Sequence, residues 1–485
     1  MISKDILSQF IAPDGSGRET LFKLFGQVQN SLLDFLTLAN DSPPLPIFNR
    51  IDSGEFGFPD LPRGDEVISV LERALALGMN PSSSGYLGHM DSIPALWSVL
   101  GELVSSAMNN NMLSLEMSPY LTQMEYALMS QFARIFGLPG RGGGMMLSGG
   151  TLSNLQALTV ARNIKLNVNG GNLFGIKQQP VLFCSEHAHA SVFKAGMLLG
   201  IGVENVIKVR ANEHSRMDVS DLEAKIGSSL ASGQLPFAVV ATAGTTVTGS
   251  IDPLRAVAMV AKRFDLWLHV DAIYGGALML SPARASCLDG IGLADSIAFN
   301  PQKWMYISKT CSMVLFADFD QMQEAIRISA PYMKSQQDFT NLGEISIQGT
   351  RHADVLKLYL TMLSIGKQGF CELIEHSFGI KDLILEKIVA RDFLKLCTTG
   401  EMNIICFCIK GIIDAKQEQL MMTALHEHLQ VQGFFLSLPR YKDRLWLRCV
   451  PLNPFLETEK IDQLFEQIDR FCRKHINMDI QIMAR

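Results

Sequence analysis

From Leu266 to Phe316 the chain reads LWLHVDAIYGGALMLSPARASCLDGIGLADSIAFNPQKWMYISKTCSMVLF, and this stretch restricts the fold more than any other. It contains three short apolar runs, Leu266 to Val270, Ser296 to Phe299 and Cys311 to Phe316. Runs of this length, rich in β-branched and aromatic residues and lacking polar alternation, are expected for strands buried on both faces, the environment of the parallel sheet in an α/β protein. The first run ends on Asp271, and the second leads directly into Asn300-Pro301-Gln302-Lys303. A carboxylate and an amine therefore fall at or just past the ends of neighbouring buried strands, where open α/β sheets build their sites. Taken alone, such a pair also reads as a structural ion pair near the edge of a sheet.

An aspartate at one strand end and a lysine after the next are what a pyridoxal phosphate enzyme needs. The lysine amine bonds to the cofactor aldehyde as a Schiff base, and the carboxylate keeps the pyridine nitrogen protonated so that the ring accepts electrons. HVDAIYGG followed by DSIAFNPQKW resembles the group II pyridoxal-phosphate-dependent decarboxylases, among them the glutamate, diaminobutyrate, cysteine sulfinate and aromatic-L-amino-acid decarboxylases. The resemblance runs from about Pro81 to Pro454. It implies a fold type I, pyridoxal-phosphate-dependent transferase-like large domain with a mainly parallel seven-stranded sheet over residues 81–365. An N-terminal helical arm, 1–80, is expected to pack across a dimer, and a small α+β domain to fill 366–485.

Composition bounds the partners. Hydrophobic residues make up 47% of the 485 and charged residues 19%, a globular balance with ample sequence for a large core. A net charge of −6 argues against nucleic acid or an anionic membrane as the main partner. No apolar run reaches the roughly 18 residues of a spanning helix, and the N-terminus, MISKDILSQFIAPDGSGRET, lacks the long apolar centre of a signal peptide. A cytoplasmic location is the expectation. Nine cysteines occur without CxxC pairs and ten histidines without an HExxH array, so reduced thiols and no metal site are expected.

The other segments supply candidate site residues. Residues 18–40 space Leu21, Leu24, Phe25, Val28, Leu32, Phe35 and Ala39 at intervals of three and four, one apolar helical face. Arg141 to Asn163 is a glycine-rich turn opening into a helix, where Gly149, Gly150 and Thr151 join the helix N-terminus as an anion cradle. Ser and Thr there are also ordinary N-caps. The string SGGTLSN is similar to the family's phosphate-binding segment. SEHAHAS resembles a family motif that sets His189, not His187, against the cofactor ring. Phe237 to Thr246 reads as a buried strand ending in a GTT turn, and the resemblance brings Thr246 to the cofactor. Asp252 opens the next helix as a cap.

Past the aspartate, Ile273 replaces the family's usual alanine and narrows or tilts the cofactor site. Gln302 stands where many relatives carry histidine, and with Asn300 it is expected to reach phosphate. The loop with His89 and Asp91 reads by itself as turn capping, while the resemblance takes it into the substrate pocket with His89 as a contact. Residues 329–339 lack periodicity, as lids do, and Tyr332 matches the family tyrosine that returns a proton to the α-carbon. Arg448, in LRCVPLNP, matches an arginine pairing with a substrate carboxylate, which its planar fork suits. Arg351 is assigned no chemistry.

Together these residues imply decarboxylation of an L-amino acid to its amine and carbon dioxide, with Lys303, Tyr332 and His189 catalytic and a homodimer as the working unit, its active sites at the interface. GTRHADVLKLY is closer to the glutamate and diaminobutyrate branches, which favours an acidic or small polar substrate. The rival readings are an oxidative deaminase or carbon–carbon lyase on the same fold, and a non-catalytic dimeric scaffold.

Overall fold

The computed structural model describes residues 10, 12–15, 17–46, 60, 64–168, 170, 172–329, 339–398, 400–411 and 414–483. Backbone contacts divide the chain into two compact units. The larger comprises His89–Met422 with Leu438–Pro454, and the smaller Met1–Gly88, Thr423–Ser437 and Phe455–Arg485.

In the larger unit seven strands form one sheet: β1 (Gly143–Leu147), β2 (Pro180–Ser185), β3 (Val206–Val209), β4 (Leu235–Thr242), β5 (Trp267–Asp271), β6 (Ser296–Phe299) and β7 (Ser312–Phe316). Their order is β1-β7-β6-β5-β4-β2-β3. The β3-β2-β4-β5-β6 neighbours pair in parallel, and β7 runs antiparallel to both β6 and β1. Every residue of β1, β2, β5, β6 and β7 is buried, which is why these runs carry no polar alternation. The three runs expected between 266 and 316 are adjacent strands, each within a residue of its expected bounds.

Helices cover the sheet. Gly150–Lys165 packs on β4 to β7 and buries Ala157, Leu158, Val160 and Ala161 in a cluster with Leu182, Val240, Trp267 and Val314. Small residues at the first and last of these helix positions let the backbone approach closely, and Leu158 fills what remains. Leu254–Arg263 packs on β4 and β5 through Leu254, Val257 and Ala261. Asp252, expected to cap this helix, does something else. The N-cap is Pro253, and the buried Asp252 carboxylate accepts the backbone N–H groups of Met217 and Thr242, tying the end of β4 to a neighbouring loop.

The helix Asp354–Val389 is broken at Gly366, whose φ of 66° leaves the helical region. Glycine adopts that geometry without the Cβ clash other residues meet. After it come β8 (Leu394–Leu396) and β9 (Ile405–Ile409), a two-residue hairpin of β10 (Arg440–Tyr441) and β11 (Arg444–Leu445), and β12 (Leu447–Cys449). β9 lies between β12 and β8 in an antiparallel three-stranded sheet.

In the smaller unit Arg18–Thr37 forms the predicted amphipathic helix and Val67–Ala76 packs beside it. The Asn80 side chain donates to the Phe35 carbonyl at 2.7 Å, and Leu87 N–H donates to the Phe435 carbonyl. None of the nine cysteines is in a disulfide, and six of them are buried.

Candidate active site

The sheet delivers the site residues through strand ends. Asp271 is the last residue of β5, and Thr242, the last of β4, is its partner in the parallel register. Past β6 the chain turns through Asn300-Pro301-Gln302, closed by Lys303 N–H on the Asn300 carbonyl at 3.1 Å, and the turn sets Lys303 beside the carboxyl end of β5. His189 is the N-cap of the helix Ala190–Leu198, its Nδ1 accepting the Ser191 N–H. Gly149, at φ 118°, turns β1 into the helix Gly150–Lys165.

These ends enclose a cavity of about 220 Å³. Gly150, Thr151, His189, Thr246, Asp271, Asn300 and Lys303 all line it, seven of the residues picked from sequence. Gly149 stands next to the wall. Gln302 is absent from the lining, because its Oε1 accepts the Cys311 N–H and holds the turn instead. Arg448 and His89 lie outside this cavity but together: the buried guanidinium donates to the Thr246 carbonyl at 2.5 Å, and its Nη2 lies 3.2 Å from His89 Nδ1. Tyr332 lies outside the described residues. Arg351 pairs with buried Glu125 at 2.7 Å and donates to the Met112 and Met146 carbonyls, a structural use.

Sequence reasoning missed Met90, Thr242, Gly244 and Tyr274 in the cavity wall. Thr242 could have been found only from strand register, since nothing nearby in sequence marks it. Tyr274 follows Ile273 by one position; its hydroxyl donates to Asn403 at 2.6 Å and its ring stacks on Trp304 at 5.1 Å.

Electrostatics distinguish the two central groups. Asp271 is buried and accepts Asn154 Nδ2 at 2.9 Å and Ile273 N–H at 3.2 Å. Burial pulls the Lys303 amine below the ordinary lysine range, and the negative charges of Asp271 and Asp91 oppose this only in part. Among the described residues its hydrogen-bond contact is the Met90 sulfur at 3.6 Å. A lysine in that state is neutral more often than a solvated one and so more nucleophilic. Burial also lowers His189, again with Asp271 acting in the opposite direction.

The residues present fit a small phosphorylated aldehyde with a basic ring. One wall offers a helix N-terminus with Thr151, an anion site. A Cβ on Gly150 would press on Ile273 Cδ1 and lie 3.2 Å from Asn300 Nδ2, so a larger residue there would have to displace the Ile273 side chain. Thr242 Oγ1 is buried in the cavity wall without a hydrogen-bond partner among the described residues, and a buried hydroxyl in that state calls for a polar ligand. A nucleophilic amine and a buried carboxylate complete the set.

The family described as "Pyridoxal-dependent decarboxylase conserved domain" matches residues 58–410. Among solved structures, mouse CSAD in apo form is 25% identical, with a TM-score of 0.86 over 94% of this chain and 99% of that one. Oryza sativa TDC with PLP and tryptamine is 22% identical, with a TM-score of 0.88 over 96% and 99%. The glutamate decarboxylase domain of a Vibrio parahaemolyticus diaminobutyrate-pyruvate transaminase and L-2,4-diaminobutyrate decarboxylase is 23% identical, with a TM-score of 0.83 over 96% and 98%. The match covers most of the chain and includes every residue of the cavity wall, so this chain belongs to the pyridoxal-dependent decarboxylase family, an amino-acid decarboxylase whose cofactor is pyridoxal 5′-phosphate.

Proposed function

We propose that the enzyme decarboxylates an acidic or small polar L-amino acid, with Lys303 as the amine that tethers the cofactor and Asp271 as the carboxylate that holds its ring nitrogen protonated. The observation carrying this is a half-buried lysine and a buried carboxylate in the wall of one cavity, with burial lowering the lysine's pKa. When bound, the cofactor supplies an electron sink for the pair left on the α-carbon as carbon dioxide departs. The chain's own residues do the rest. Gly150, Thr151 and Asn300 bind and orient the phosphate end, Gly149 shapes the turn, Gln302 braces the lysine turn through Cys311, and Thr246 borders the ring.

His189, in the cavity wall, would face the bound ring and would hold or move a proton there. Tyr332 returns a proton to the α-carbon, a role resting on sequence resemblance alone. Arg448, paired with His89 beside Thr246, offers a buried cation to a substrate side-chain carboxylate. Ile273 fills space over Gly150 and disfavours bulky substrates.

Leu96, Trp97, Leu100, Leu103, Val104 and Met108 are exposed along the helix Leu96–Met108, an apolar face of the kind that pairs with a second copy. That face supports a homodimer, for which the reading is active sites at the interface, 1–80 as an arm across it, 81–365 as the cofactor domain and 366–485 as the small domain. Unpaired cysteines support a cytoplasmic location. Among the described residues no helix is long and apolar enough to cross a membrane.

A screen of amino acids, including diaminobutyrate and cysteine sulfinate, reading carbon dioxide and amine together, tests the proposal. Equal amounts of both from an acidic or small polar substrate are expected. Preference for an aromatic amino acid would overturn the substrate class, and aldehyde with peroxide in place of amine would overturn the outcome of the reaction.

A further inference from the structure

Behind the cavity wall a chain of buried polar side chains runs from Trp267 to His189. The Trp267 indole Nε1 lies 2.8 Å from Ser296 Oγ, and Ser296 Oγ lies 2.9 Å from His269 Nδ1. His269 Nε2 is 2.9 Å from Asn154 Oδ1. The Asn154 amide nitrogen then reaches two acceptors, Asp271 Oδ2 at 2.9 Å and Ser191 Oγ at 2.8 Å. Ser191 Oγ is 2.8 Å from His189 Nδ1, and the Ser191 backbone N–H points at the same nitrogen from 3.2 Å. Trp267, Ser296, His269, Asn154 and Ser191 are all buried.

The direction of this chain is forced at its ends. An indole N–H only donates and an ionised carboxylate only accepts. Asp271 therefore faces the Asn154 NH₂, because the flipped amide would set oxygen against oxygen. Asn154 Oδ1 then accepts from His269, which puts the His269 proton on Nε2 and leaves Nδ1 to accept the Ser296 hydroxyl hydrogen. Burial holds His269 down to about 4, so it is neutral and has one proton to place. The NH₂ also donates to Ser191 Oγ, so the Ser191 hydroxyl hydrogen goes to His189 Nδ1. That nitrogen now accepts from both the hydroxyl and the backbone N–H of Ser191.

We propose that Asn154 is a positioning residue that, in one hydrogen-bond chain, fixes the orientation of Asp271 and locks His189 as the neutral tautomer with its proton on Nε2. A proton on Nδ1 would meet the Ser191 N–H head on and reverse the hydroxyl that Asn154 has set. In the neutral ring the single hydrogen of His189 is therefore on Nε2, and the carboxylate and the imidazole of the site are set by one amide group. The charged groups facing His189 are Asp271, Lys303 and Lys194. This rests on the reading of Asp271 and His189 as the cofactor's neighbours, but it is a statement about the protein with or without cofactor.

The test is the imidazole nitrogen spectrum of protein labelled with ¹⁵N-histidine, with the His189 signals identified by their loss in His189→Gln. In the wild type, with cofactor and without, His189 Nδ1 is expected in the unprotonated range and Nε2 in the protonated range at neutral pH. In Asn154→Ala the two signals are expected to move toward each other as tautomers mix, and the His189 titration to shift upward. Ser191→Ala, which keeps the backbone N–H and removes only the hydroxyl, is expected to shift the titration in the same direction by less. It also serves if Asn154→Ala does not fold. A wild-type Nδ1–H tautomer, or variants with unchanged nitrogen shifts, would overturn the relay. Failure of pyridoxal phosphate to change the absorbance spectrum would instead overturn the cofactor reading, and the two failures are separate.

Discussion

Two lysines in the larger unit, Lys357 buried and Lys303 half-buried, have opposite surroundings. Lys357 is fully buried, with its ammonium 2.6 Å from Glu102 and 3.0 Å from Asp354. Lys303 lies against a methionine sulfur, and the acids that act on it lie beyond ion-pair distance. Burial would lower both, but at Lys357 the charge of Asp354 and the Glu102 hydrogen bond outweigh it and the amine is raised, whereas at Lys303 burial wins. Burial alone therefore does not identify a reactive lysine. A fixed carboxylate within about 3 Å makes a structural cation, and its absence beside a cavity makes a nucleophile.

The contrast is broken most directly at Lys303. Lys303→Ala should lower steady-state amine production by at least about a thousandfold, the scale on which essential catalytic groups are lost, with a melting temperature at or above that of the wild type. A clear loss of stability in that variant would mean the amine is structural. Lys357→Met should do the reverse. Removing one partner of a buried ion pair costs about 3–5 kcal/mol, read by urea unfolding, while kcat per folded molecule stays near wild type. A catalytic defect without destabilisation would merge the two lysines into one class.

Linkage sharpens the contrast further. A lysine lowered in the folded state binds its proton less tightly there than when unfolded, so stability rises with pH between the lowered value and the unfolded value of about 10.4. Lys303→Met should remove that rise in cofactor-free protein. The raised Lys357 contributes stability that is complete below about 10.4 and is lost as pH climbs through its higher folded value. Lys357→Met should remove that alkaline loss. Urea unfolding across pH 7 to 11 reads both. The smallest expected effect is at the cavity wall: Ile273→Ala should raise kcat/KM for a bulkier substrate by roughly tenfold, the lower end of what one or two buried methylenes discriminate.

Much of this was legible because it is local. Burial on both faces leaves unbroken apolar runs, so β5, β6 and β7 could be read, and with them the strand-end positions of Asp271 and Lys303. The glycine turn at Gly149 and Gly150 shows because few other residues fit it. What escaped depends on contacts distant in sequence. Asn154 reads as one more polar helix residue until the fold brings His269 and Asp271 to it. Thr242 acquires meaning only opposite Asp271 in register. Asp252 was given the right neighbourhood but the wrong partner, since the backbone N–H groups of Met217 and Thr242 claim its oxygens, and the Cys311 N–H on Gln302 Oε1 is likewise a contact from a distant part of the sequence.

The central claim is that the amine of Lys303 is the one that holds the cofactor. Borohydride reduction of the holoenzyme followed by peptide mapping by mass spectrometry tests it without reference to any substrate. The account predicts a single pyridoxyl-phosphate adduct on the peptide containing Lys303, and its absence from Lys303→Ala; a stoichiometric adduct on any other lysine would contradict it.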